Sequence, residues 1–346
     1  ISSVLQKHID TTFKSSNIML ILCGSSMSFM ERQVLGYKSP LYGRRNAQLK
    51  IEPFDYYDSA AFFENTSFED KILGYAVTGG IPQYLREING YNSISEGIQQ
   101  SFFNKFGSLY EEPQNLLKQE LREPAVYNTI IASIANGASK LNDISTKSGE
   151  ENKKTSKYLT ALIQLGIIER ELPVGGIGKR NGVYRIKDNM YRFWYKFVPE
   201  NVTNIESGNY EYVYKNKVEP FLSDYVGRIF EDVCRQFMLR ENTKGKLPFV
   251  FDKIGRWWGT NPVSRNQEEI DVMAVSKKSA IFCECKWKNE LMDMTVLNEL
   301  KRKAKTFGQY SEKYFYLFSK SGFKSNLTEL SKTDDHICLI CLADLF

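Results

Sequence analysis

Near its end the chain carries Glu269-Ile270-Asp271, an apolar stretch, a turn of Ser276, Lys277, Lys278 and Ser279, and a second apolar run closing on Glu284-Cys285-Lys286. No other feature constrains the fold as much. Side chains alternate across a strand with period two, so Glu284 and Lys286 share one face of the second strand. Two carboxylates, Asp271 and Glu284, and one lysine then converge at the ends of paired strands. A Mg2+-dependent phosphodiesterase needs such a group: hard carboxylate oxygens for the ion, the ion to polarise phosphate and acidify bound water, and a lysine for developing charge. The plainer alternative is a partly buried ion pair in an inactive fold, because buried charges need partners whatever they do.

The surrounding pattern supports strands at those positions. Over 205–346 the sequence predicts a helix at 224–239 carrying Glu231, strands at 248–258, 268–275 and 280–287, a helix at 294–307, a strand at 313–319, a short helix at 327–332 and a last strand at 336–342. The segment 119–200 reads as a winged helix-turn-helix. Helices are expected at 125–135 behind Pro124, at 140–147, and at 152–165 closed by Gly166, followed by a Gly-rich hairpin of strands 167–174 and 183–186. Lys153, Lys154 and Lys157 open its third helix, and Lys179, Arg180 and Arg185 lie on or near the wing, where phosphate contacts to DNA are made. Solvated lysines on an exposed face are the alternative. The aromatics Tyr191, Phe193, Trp194, Tyr195 and Phe197 are read as interdomain core before base-stacking, and Trp257 and Trp258 as walling or underlying the carboxylate site.

The segment 1–118 begins with an amphipathic helix over 1–15. The run Asn-Ile-Met-Leu-Ile-Leu-Cys at 17–23 reads as a central parallel strand, and mostly helices follow. Ile1 falls inside a helix already under way, so a longer native protein is expected.

Composition narrows the choice without deciding it. At 346 residues, two or three domains of roughly 100–200 residues are expected. Apolar content of 42% and charged content of 25% describe an ordinary globular protein. A net charge of +5 is compatible with nucleic acid but is not evidence for it. The six cysteines lie mostly in apolar segments and read as reduced thiols of a cytoplasmic protein. His8 and His336 stand alone, which argues against histidine-based zinc or triad chemistry. Neither a membrane span nor a signal peptide is visible. No GxxxxGK[ST] loop occurs, so the chain has no P-loop of its own.

At Asp271 and Glu284-x-Lys286, in this strand order, the last segment resembles the PD-(D/E)xK, restriction-endonuclease-like nucleases, although no proline precedes Asp271. The resemblance implies Asp271 and Glu284 as Mg2+ ligands with the Cys285 carbonyl as a third oxygen, Lys286 as the catalytic lysine, and Glu231 as a further carboxylate. Over nearly its whole length the chain resembles archaeal and bacterial AAA-type, STAND-like P-loop ATPases with a C-terminal nuclease-like domain. The stretches that carry this are LILCGSSMSFM, SPLYGRRNAQLKIEPFDYY, TGGIPQYL, DYVGRIFED, GRWWG and EIDVMAV with ECKW.

The architecture so implied is a multidomain α/β chain: the end of a P-loop ATPase core with a helical lid (1–118), a winged helix (119–200) and a nuclease-like domain (205–346). Ser25, Ser26, Arg44 and Arg45 would sense the γ-phosphate, and Gly80 and Pro82 would form the lid motif against adenine, with ATP bound only in a longer protein. The expected partner is nucleic acid, DNA first, with a homo-oligomer as a further expectation. Two other readings stay open: a signalling switch with an inactive nuclease-like domain, and a DNA-binding regulator built on the winged helix.

Overall fold

The computed structural model describes residues 1–26, 29–30, 34–175, 182–261 and 265–346. Its first part is helical: α1 (Ser2–Asp10), α2 (Tyr56–Ser59), α3 (Phe68–Thr78), α4 (Pro82–Asn89), α5 (Ile94–Ile98) and α6 (Glu112–Glu120). Ser67 caps α3 by accepting the Asp70 N–H, and Pro82 opens α4 at a position that needs no N–H.

The expected strand at 17–23 does not form. Those residues carry no regular structure, and Met19 and Ile21 are 86% and 71% exposed. Apolar composition alone does not make a strand; the backbone needs a neighbour to pair with, and among the described residues none pairs there. The helix expected over 1–15 ends at Asp10, with a short 3-10 turn at Phe13–Ser15 after it.

Three helices follow, α7 (Pro124–Ala135), α8 (Leu141–Ser148) and α9 (Asn152–Gln164), then the antiparallel hairpin β1 (Ile168–Glu171) and β2 (Val183–Ile186). Gly149 and Gly166 end α8 and α9 with φ of 73° and 75°, the left-handed turn that glycine adopts without strain. Next come α10 (Asn189–Phe197), α11 (Val202–Glu206), α12 (Tyr210–Val213) and the long α13 (Glu219–Thr243).

All five aromatics of α10 are buried. The Trp194 indole donates to the Tyr110 carbonyl at 2.6 Å, and Tyr225 of α13 donates to the Ala76 carbonyl at 2.8 Å. One apolar cluster thus runs from Tyr56 through α10 and α13 to Leu345, and the aromatics serve packing. No helix among the described residues is long and apolar enough to cross a membrane.

The last part is a mixed sheet in the order β3 (Lys253–Thr260), β4 (Gln267–Val275), β5 (Ser279–Lys286), β6 (Glu312–Ser319), β7 (Ile337–Cys341). The first three strands are antiparallel; β5, β6 and β7 run parallel, joined by α14 (Met294–Ala304) and α15 (Ser325–Thr333). Every residue of β5 up to Cys285 is buried, because α13 covers one face and α14 the other. Ile281, Cys283 and Cys285 join the α13 cluster, whereas Ala280 and Phe282 pack with Leu297 and Leu300 of α14. From 224 onward the expected order of elements is realised, although α13 is longer at both ends, β3 begins at Lys253 and not at 248, and α14 ends at Ala304; the short helix α12 lies outside the expected pattern.

Candidate functional site

The sheet opens where the acidic residues stand. β4 and β5 pair from Val275 and Ala280 as far as Val272 and Cys283. Beyond that point β4 stays with β3 and β5 stays with β6, whose pairing continues to Lys286 and Ser319. A bulge accompanies the opening: between Gly255 and Trp257 β3 advances two residues while β4 advances three, from Met273 to Ile270. Bulges re-aim side chains and end pairing, and the extra residue here falls at Asp271 or Val272. The Asp271 carboxylate replaces a bond that the ladder no longer makes, accepting the Cys285 N–H at 2.8 Å. The N–H and C=O of one strand residue point to the same neighbour, so the Cys285 carbonyl faces the same gap.

Glu284 is buried and binds two ammonium groups: Lys286 Nζ at 2.5 Å on Oε1, and Lys303 Nζ of α14 at 3.5 Å on Oε2. Burial pushes the Asp271 carboxyl up, and Glu284 pushes it further, against the pull of the Cys285 N–H and the two lysines. Glu231, on α13, is raised by burial and by Asp271. Burial alone would lower the Lys286 ammonium, but Glu284 outweighs it and the value rises. The sequence thus brings Asp271, Glu284, Lys286 and Glu231 together as expected. It missed two residues. One is Lys303, whose only signal was a charge beside the buried Leu300 and Ala304 of α14. The other is Arg256, which reaches Glu171, Glu231 and Glu269 at 3.8, 3.5 and 3.2 Å.

Among the described residues no group of three or more His, Cys, Asp and Glu side chains forms a ready metal site. A hard cation would have Asp271 and Glu284, the Cys285 carbonyl and water. This oxygen-only set suits Mg2+, which keeps several waters and takes one or two carboxylates, and Asp271 is a buried carboxylate raised by burial and by the neighbouring Glu284. Cys338 and Cys341 have C-x-x-C spacing, yet alternation on β7 directs residues three apart to opposite faces. All six cysteines are free.

The other candidates are scattered. Ser25 is exposed; Ser26 donates to Glu120 at 3.3 Å. Arg44 is engaged, making two 2.8 Å bonds to Asp10, and Arg45 is exposed. Gly80 lets the backbone of Phe54 pass: the Phe54 N–H donates to the Gly80 carbonyl at 2.9 Å, and a Cβ on Gly80 would lie 1.8 Å from the Phe54 oxygen. Lys153, Lys154 and Lys157 are exposed on α9. Lys179 and Arg180 lie outside the described residues.

Arg185 corrects its reading as a wing residue available to DNA. It is half-buried, with Glu169, Glu171 and Asp232 at 2.7, 3.4 and 2.8 Å, and fastens the hairpin to α13. Trp257 packs edge-on against Phe307 at 4.9 Å and so underlies the sheet.

Comparisons with known proteins find one family model and one similar curated protein, both of unknown function. Residues 194–313 match the family DUF234, archaea bacterial proteins of unknown function. That stretch holds Glu231, Asp271, Glu284, Lys286 and Lys303. The chain is 34% identical over 327 residues to the uncharacterized protein MJECL04 of Methanocaldococcus jannaschii, covering 92% of this chain and 71% of the relative. The chain belongs to this archaeal and bacterial family. A crystal structure of protein VC1899 from Vibrio cholerae overlaps with a TM-score of 0.27 at 14% identity, over 88% of this chain and 62% of that one. The chain thus spans less than two thirds of the Vibrio protein, and a likeness at that level carries no argument.

Proposed function

We propose that the five-stranded part is a Mg2+-dependent phosphodiesterase of the PD-(D/E)xK type acting on nucleic acid, with DNA as the first candidate. One observation carries this reading: the β4–β5 ladder stops at Val272 and Cys283, and Asp271, Glu284 and Lys286 stand at the opening it leaves. Bound Mg2+ would supply charge neutralisation at a phosphate and an acidified water. Asp271, Glu284 and the Cys285 carbonyl would hold it. Lys286 would offer its ammonium to developing negative charge, and Glu231 stands by as a further carboxylate beside Asp271.

A second reading rests on the same residues. Glu284 is already matched by Lys286 and Lys303, which is also how an inactive fold used for binding would neutralise it. The proposal extends to the rest of the chain. Exposed Lys153, Lys154 and Lys157 would meet DNA phosphates, and the first part would be the end of an ATPase core whose ATP is bound only in a longer protein. Arg44 would then have to leave Asp10 to meet a γ-phosphate.

Cleavage of circular single- and double-stranded DNA and of RNA, with Mg2+ or Mn2+ against EDTA, tests the reading. Metal-dependent cutting that disappears in Asp271→Ala and Lys286→Ala supports it. Cutting by both variants at the wild-type rate refutes the site.

A further inference from the structure

Glu284 is bound by two ammonium groups from different elements, and the second has no counterpart in the motif that marks the first. Lys303 comes from the last turn of α14, beside Leu300 and Ala304, which are buried against the sheet. Its side chain is only 14% exposed, and its Nζ lies 3.5 Å from Glu284 Oε2. Burying an ammonium costs free energy that one ion pair at that distance offsets poorly. Lys286 already neutralises Glu284 at 2.5 Å. Lys303 instead sets a second ammonium against the carboxylates Asp271 and Glu284, with Glu231 beside Asp271 as a third. A divalent cation entering this group adds two positive charges. The carboxylates then turn to the cation, and the ammonium groups at the same opening are left needing an anion.

We propose that Lys303 is a phosphate-binding residue, held on Glu284 at rest and transferred to a non-bridging oxygen of a nucleic-acid phosphodiester when a divalent cation occupies Asp271 and Glu284. The inference rests on the phosphodiesterase reading and adds to it a residue and an order of events. It has two opposed consequences. At rest Lys303 competes with the cation for Glu284, so its removal tightens cation binding. With the cation present it holds substrate, so its removal weakens nucleic-acid binding. An ion pair that merely fastens α14 to the sheet does neither: its removal misplaces Glu284 and weakens both, or changes nothing.

The test uses the full chain as wild type, Lys303→Met and Lys303→Arg, each checked for cooperative unfolding. Calorimetry with Ca2+ reads the cation site, and anisotropy of a labelled DNA duplex in Ca2+ reads substrate binding without cleavage. For Lys303→Met we expect Ca2+ affinity to rise about three- to tenfold, as a competing charge is removed. Duplex affinity should fall about tenfold, the worth of a hydrogen bond to a charged group. Lys303→Arg, which keeps the charge, should restore duplex binding to within about threefold of wild type. Parallel falls in both affinities, or no change, in Lys303→Met while wild type binds both ligands overturn the role of Lys303 alone; if Lys303→Met fails to fold, duplex affinity in Lys303→Arg lowered about tenfold does the same. Wild type that binds neither Ca2+ nor duplex overturns the phosphodiesterase reading, and this inference with it.

Discussion

Glu231 and Asp232 are neighbours on α13, yet burial has opposite outcomes for them. Asp232 is met by Arg185 at 2.8 Å, Arg192 at 3.4 Å and Arg235 at 3.9 Å. Burial would raise its carboxyl, but the arginines hold it well below the ordinary range. Glu231 meets Arg256 at 3.5 Å, an arginine that also serves Glu171 and Glu269. Burial and the nearby Asp271 push it up. The first cluster is saturated with positive charge and holds the β1–β2 hairpin on α13. The second keeps a surplus of negative charge beside an opening in the sheet. Surplus buried charge costs stability, and such perturbed groups concentrate where proteins bind or react.

The most damaging way to break this comparison is Arg185→Met. It leaves Asp232 and Glu171 buried with less compensation and should cost about 3–5 kcal/mol in urea unfolding. A change below about 1 kcal/mol would mean the saturated cluster is not structural. On the other side, Asp271→Ala and Lys286→Ala should each lower cleavage by at least about 100-fold, the scale of removing one charge-stabilising group. Both should still unfold cooperatively. A variant that becomes inactive only by failing to fold would erase the distinction between the clusters.

The pH dependence sharpens it further. Glu231 has a folded pKa above its unfolded value. Its contribution is fully present below the unfolded value and disappears as pH rises through the folded one. Glu231→Gln should therefore flatten the decline in urea midpoint from weakly acidic to alkaline pH. Asp232 has a depressed folded pKa, so its contribution is present above the unfolded value and disappears as pH falls through the folded one. Asp232→Asn should flatten only the acid limb. Identical profiles for the two variants would refute the contrast. The smallest expected effect belongs to Lys153, Lys154 and Lys157: changing all three to Ala should move stability by less than about 0.5 kcal/mol. The slope of log affinity for duplex against log salt should fall by about 0.9 for each phosphate that these lysines neutralise in the wild type.

The sequence displayed the sheet plainly because its strands are clear apolar runs set off by a Ser/Lys turn or by a helix, and because Asp271, Glu284 and Lys286 lie on adjacent strands. What it hid depends on how elements cross. Lys303 reaches Glu284 only because α14 packs over β5, and Arg185 looks like a wing charge until α13 brings Asp232 to it. The bulge that opens the sheet at Asp271 leaves no glycine or proline mark on β4. At 17–23 the apolar run suggested a strand, but pairing is a property of neighbours that the run itself does not encode.

The most direct measurement is anomalous diffraction from crystals of the wild-type chain grown with Mn2+, alongside Asp271→Asn. A Mn2+ peak is expected between the Asp271 and Glu284 carboxylates in the wild type, and no such peak in the variant. A wild-type crystal without density there, or with Mn2+ bound elsewhere, would contradict it.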